Sequence, residues 1–187
     1  MAQISKFAPA FLKFLCRLVL DPNFKVAHTA LQLLQLVLRA KDLGQRTNLQ
    51  NAVPALVQKL GDQNVEIRRE TIKLFLQLME LLNSRSFVAL LLPYLRAPLW
   101  HVREEVLKLL IMCFMRCNHE FDLFATCDGV AKLLDDEISK VRFVAREALA
   151  TLAIRGDKQR VLELLFELVD RKEYNVLCDR IESQDLP

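Results

Sequence analysis

Glycine and proline are scarce in this chain, with four and six among 187 residues. That argues against an all-β or loop-rich architecture, which spends both at its many turns. Strand-like alternation of Val, Ile and Thr is hard to find, whereas leucine saturates the sequence. The five cysteines (Cys16, Cys113, Cys117, Cys127 and Cys178) form no CxxC pair, and any full disulfide scheme leaves one over. They read as reduced thiols in apolar helical patterns. The opening MAQISKFAPAFLKFL has no secretory-leader layout, and no apolar run approaches a membrane span. A soluble intracellular chain is expected, with no membrane partner. The net charge of +3 is mild and lacks the dense basic stripe of a nucleic-acid binder.

Catalytic chemistry is missing too. His28, His101 and His119 have no cysteine or carboxylate at ligand spacing. Cys113 and Cys117 share a helix face at i, i+4, but with no third or fourth ligand they read as core rather than metal site. No GxxxxGKS/T, GxGxxG or GxSxG motif occurs. The adjacent carboxylates Glu104–Glu105 and Asp135–Asp136 fall at helix starts, where the helix dipole favours negative charge without any catalysis. The expectation is therefore no catalytic residue, no metal, no cofactor and no enzyme.

What is present is a repeat. Apolar residues make up 52% and charged residues 26%, a balance suited to one domain over 1–187. Four turns align: DPNFKVAHTAL, DQNVEIRRETI, APLWHVREEVL and DEISKVRFVAR, near residues 21–26, 62–67, 97–102 and 136–141. The landmarks Val26, Ile67, Val102 and Val141 are 41, 35 and 39 residues apart, the spacing of two-helix repeats. Apolar or small residues recur at offsets 0, 4, 7, 8 and 11 after each landmark, one face of an α-helix. An apolar helical segment precedes each turn (7–20, 49–60, 84–96 and about 120–134), and a fifth pair covers 157–170 and 173–183. Such a pair cannot bury its apolar face alone, so the pairs must stack into a solenoid. Pro54 and Pro93 fall within the leading segments, where each is expected to bend its helix.

These turns resemble the HEAT repeat, in which an aspartate precedes the turn and a "VR" pair opens the second helix. Asp62 with Ile67-Arg68 and Asp136 with Val141-Arg142 follow that pattern. Val26-Ala27 and Ala97 depart from it. The expected fold is all-α, a solenoid (α–α superhelix) of about five HEAT-like helical pairs with a truncated first repeat. The order of LDPNFKVAHTALQLLQLVL, YLRAPLWHVREEVLKLL and EFDLFATCDGVAKLLDDEISKVRFVAREALATLA resembles a TOG domain over roughly residues 8–155, with the crescerin group as the nearest likeness. That resemblance implies a turn-lined edge docking the αβ-tubulin dimer, and work on microtubules of the cytoskeleton and of the ciliary axoneme, with other ciliary proteins as further partners. In such domains the tryptophan stands in the first turn, whereas here Trp100 stands in the third.

The candidate tubulin contacts are Asn23, Phe24, Lys25, Val65, Arg69, Trp100, His101, Arg103, Lys140 and Arg142. Trp100 reads either as an interface anchor or as a staple over apolar surface between repeats. Cations near a helix start are unfavourable by roughly 0.3–1 kcal/mol, so their recurrence needs a reason. For Arg68 and Arg142 the aspartate–arginine ladder supplies one, through Asp62 and Asp136. Arg103 has no ladder aspartate in its own turn and is expected to touch a partner. Lys25 and Lys140 have no structural role in this reading and point toward an acidic surface, while Glu66 breaks the pattern with Arg69 nearby. Two rivals remain: a HEAT adaptor gripping a peptide without tubulin, and a scaffold subunit completed by a partner chain.

Overall fold

The computed structural model describes residues 2–39, 50–116 and 120–184, and among these every regular element is helical. They form five helical pairs. The α-helices are α1 (Ala2–Val19), α2 (Phe24–Arg39), α3 (Val53–Leu60), α4 (Val65–Leu81), α5 (Ser84–Leu91), α6 (Trp100–Arg116), α7 (Leu123–Ala131), α8 (Ser139–Arg155), α9 (Lys158–Leu168) and α10 (Arg171–Gln184). Short 3-10 turns cover Gln50–Ala52, Leu92–Arg96 and Lys132–Asp135. The chain divides into two compact units, Met1–Asn83 and Ser84–Pro187. Cys117 and His119 lie outside the described residues.

The prolines behave differently from the expectation. Pro54 occupies the first turn of α3, where its missing N–H would have found no helical partner anyway. Pro93 sits at the start of the 3-10 turn that follows α5. Neither bends a helix from within. Both stand at the start of an element, where a missing N–H costs no helical hydrogen bond. The segments expected at 84–96 and 120–134 each resolve into an α-helix followed by a 3-10 turn, the second without any proline.

In the N-terminal unit α2 packs between α1 and α4, with α3 against α1 and α4. Ile67, Thr71, Leu74, Phe75 and Leu78 of α4 are all buried, as the apolar offsets require. The α2 register is different. Its buried residues are Ala27, Ala30, Leu31, Leu34, Gln35 and Leu38, whereas Leu33 is 39% exposed. The buried stripe has rolled by one residue, about 100° of helix. The roll coincides with a difference at position 27, where the other three turns carry an arginine and this one carries a buried alanine. Inside this unit Gln35 Nε2 donates to Glu70 Oε2 at 2.6 Å, and Lys73 Nζ donates to Glu70 Oε1 at 2.6 Å. Burial works against the Glu70 carboxylate, but these hydrogen bonds outweigh it and hold its pKa below the ordinary value.

The C-terminal unit is centred on α6 against α8. Val102, Val106, Leu109, Leu110 and Cys113 of α6 are buried, as are Val141, Ala145, Ala148, Leu149 and Leu152 of α8. Gly129 of α7 admits the 3-10 turn Leu92–Arg96 closely, since a Cβ there would stand 3.2 Å from Leu95 Cδ1. Two bidentate ion pairs fasten α10 to α8. Arg180 grips Glu147 through two bonds of 2.7 Å, and Arg146 grips Glu173. Burial raises the Cys127 thiol to about 12, so it is a packing group rather than a nucleophile.

Candidate binding site at the intra-repeat turns

Each turn is built by its own sequence. Where an aspartate opens it, a side-chain oxygen accepts the N–H two residues on: Asn23 to Asp21 at 2.7 Å, Asn64 to Asp62 at 2.9 Å, and Ile138 to Asp136 at 2.9 Å. Asn23 and Asn64 then cap α2 and α4 by accepting from Lys25 N and Glu66 N, both at 2.9 Å. Asn23 is thus exposed, but its side-chain oxygen is committed to the cap.

The arginines explain the cations at the helix starts. Arg68 Nη1 donates to the carbonyls of Asp62 and Gln63 at 2.7 and 3.0 Å. Arg103 Nη1 reaches Ala97 and Pro98 at the same two distances, and Arg142 Nη1 reaches Asp136 and Glu137 at 2.6 and 3.0 Å. Three turns out of four therefore use a guanidinium to satisfy carbonyls that point out of the chain reversal. These charge-assisted bonds offset the unfavourable dipole. The expected carboxylate pairing within a turn is corrected: Arg68 and Arg142 bind backbone carbonyls.

Arg103 is the larger correction. Its Nε and Nη2 hold both oxygens of Asp136 at 2.7 and 2.9 Å, with the two side chains only 15% and 5% exposed. It is a rung to the next repeat, so its charge is engaged by Asp136, a partner the expectation did not give it. Burial opposes the Asp136 carboxylate, yet Arg103, the Ile138 N–H and the Arg142 charge hold its pKa below the ordinary value. Asp62 has alanine, Ala27, at the corresponding rung position and pairs instead with Lys59 of its own repeat at 2.9 Å.

Three of the expected contacts come together. Trp100 is half-buried and stacks on exposed His101 with ring centroids 3.5 Å apart and 24° between planes. Lys140 of the following turn places Nζ 5.7 Å from the Trp100 ring centroid. Lys140 therefore has a structural contact that sequence reasoning did not assign it, a cation over an aromatic face. In the N-terminal unit Phe24 is 43% exposed and stacks on His28, while Val65 is 49% exposed. Lys25 is exposed. Arg69 forms a surface pair with Glu66 at 2.9 Å, so that turn contributes little net charge. Two residues were missed. His28, four residues after Phe24, was legible from helical spacing, and Leu99, 57% exposed beside Trp100, was legible only as an apolar residue in a polar turn. No three His, Cys, Asp or Glu residues among the described ones are grouped to hold a metal.

Helical pairs with recurrent buried offsets, each reversed at an aspartate or arginine-braced turn, define a HEAT-type repeat protein. No family model matches the sequence. Its relatives place the chain in the TOG-domain family. TOG array regulator of axonemal microtubules protein 1 of Homo sapiens is 34% identical over 165 residues, 87% of this chain and 10% of that protein. The chain thus spans about a tenth of the length of the curated relatives it matches. A solved crescerin TOG domain superposes with a TM-score of 0.82 at 32% identity, over 95% of this chain and 75% of that one. Crescerin is described as using a TOG domain array to regulate microtubules in the primary cilium. The MAST/Orbit N-terminal domain superposes with a TM-score of 0.83 over 95% of this chain and 80% of that one, at 19% identity, a likeness of fold alone.

Proposed function

We propose that this chain is a tubulin-binding module that docks αβ-tubulin through its intra-repeat turns and thereby regulates microtubules of the ciliary axoneme. It works as a cytoskeletal binder, not as an enzyme. One observation carries the reading: in a TOG-family chain, the only tryptophan stands half-buried at a turn, flanked by His101 and by the Lys140 ammonium. A half-buried tryptophan with a cation beside it suits an interface anchor against an acidic protein such as tubulin. Phe24, Val65 and Leu99 add apolar contact, and Lys25 with Lys140 steers association, so binding weakens with salt chiefly through the on-rate. We propose further that residues 1–187 make up a single domain of this kind.

Co-elution with αβ-tubulin on size exclusion tests this. Wild type and a Met115→Ala control co-elute; Met115 is exposed on α6, about 22 Å along the axis from Trp100 at roughly 1.5 Å per residue. The double variant Trp100→Ala/Lys140→Ala loses the complex. Absence of co-elution by wild type favours an adaptor that does not bind tubulin.

A further inference from the structure

The last helical pair carries an open cleft of about 300 Å³ lined by Gln159, Leu162, Glu163, Phe166, Glu167 and Tyr174. Its chemistry is opposite to that of the turns. Phe166 of α9 is 68% exposed, and Tyr174 of α10 meets it edge to face, with centroids 5.4 Å apart and planes at 84°. Two aromatic rings at a right angle thus line the cleft together with two carboxylates. Glu163 and Glu167 are four residues apart on α9 and share its face, and Glu167 has no ion-pair partner among the described residues. Gln159 Nε2 donates to Glu163 Oε1 at 3.1 Å and orients that carboxylate from below. The far wall is held in place, because Glu173, next to Tyr174, is gripped by Arg146.

We propose that this cleft binds an arginine side chain presented by a basic segment of a partner polypeptide. A guanidinium is flat enough to lie on an aromatic face, and its edge donates in-plane to carboxylates, so one group satisfies both features of the cleft. An ammonium could meet the carboxylates but would not match the plane of the exposed ring. An acidic partner such as the one proposed for the turns is repelled here, so the cleft serves a second, basic partner. The assignment stands on the cleft alone and is independent of the tubulin reading.

The test is an amide-resolved NMR titration of the whole chain with the peptide acetyl-Gly-Arg-Gly-Arg-Gly-amide, and with the same peptide carrying citrulline in place of arginine. The arginine peptide shifts amides within 159–174 to saturation, and citrulline weakens binding about tenfold or more by removing the charge while keeping the shape. Phe166→Ala and the double variant Glu163→Gln/Glu167→Gln each weaken it roughly five- to tenfold. All three side chains tested are at the surface, and the unshifted remainder of the spectrum reports that the variants stay folded. Shifts scattered over the acidic surface, equal binding of the citrulline peptide, or unchanged affinity in Phe166→Ala overturn the assignment.

Discussion

The two units solve the same problem, how to join consecutive turns, with different chemistry. In the C-terminal unit the joint is at the turns themselves: Arg103 clamps Asp136, and Lys140 lies over Trp100. In the N-terminal unit the arginine position is taken by Ala27, Asp62 falls back on Lys59, and the link between α2 and α4 is made deeper, by Gln35 to Glu70. The first turn lacks a guanidinium, and in the same repeat α2 is rolled by a residue, with Leu33 and Leu36 exposed.

Arg103→Ala should show the largest effect on stability. It strands a nearly buried Asp136 carboxylate and two turn carbonyls, and is expected to cost about 3 kcal/mol in denaturant unfolding. A loss below about 1 kcal/mol would mean that the clamp does not distinguish the units. Gln35→Ala should come next, at roughly 1.5–2 kcal/mol, because it withdraws a hydrogen bond from a buried carboxylate. Lys59→Ala, which removes the substitute partner of Asp62, should cost only about 0.5–1 kcal/mol.

Acid separates the units by the same logic. Asp136 and Glu70 both have folded-state pKa values below their ordinary 3.8 and 4.5. Their stabilisation is therefore fully present above those values and is lost as pH falls through the lower folded ones. Asp136→Asn and Glu70→Gln should each flatten the acid limb of a stability–pH curve, and a limb of unchanged steepness in both would count against the account. The smallest expected effect is that of Lys140→Ala, about 0.5 kcal/mol, read together with a shift in emission of the single tryptophan.

Much of the fold could be read from residue spacing, because Ile67, Val102 and Val141 each begin a stripe whose buried members follow helical geometry. Val26 looked equivalent and was not, since the apolar pattern does not show the roll of α2. The ladder was misassigned for a related reason. Asp136 is six residues from Arg142 and thirty-three from Arg103, and only three-dimensional stacking shows that the distant arginine takes its carboxylate while the near one takes its carbonyl. Trp100 and His101 were readable as turn residues, but the placement of Lys140 over the ring required the register between α6 and α8.

The most direct measurement is the affinity of this chain for αβ-tubulin at low and moderate salt, wild type against Trp100→Ala, with helicity checked by circular dichroism. If the turns are the docking surface, the variant keeps its helicity and loses about 2 kcal/mol of binding, roughly thirtyfold, and wild-type affinity falls as salt rises. Equal affinity of the two proteins, flat across both salt concentrations, would contradict it.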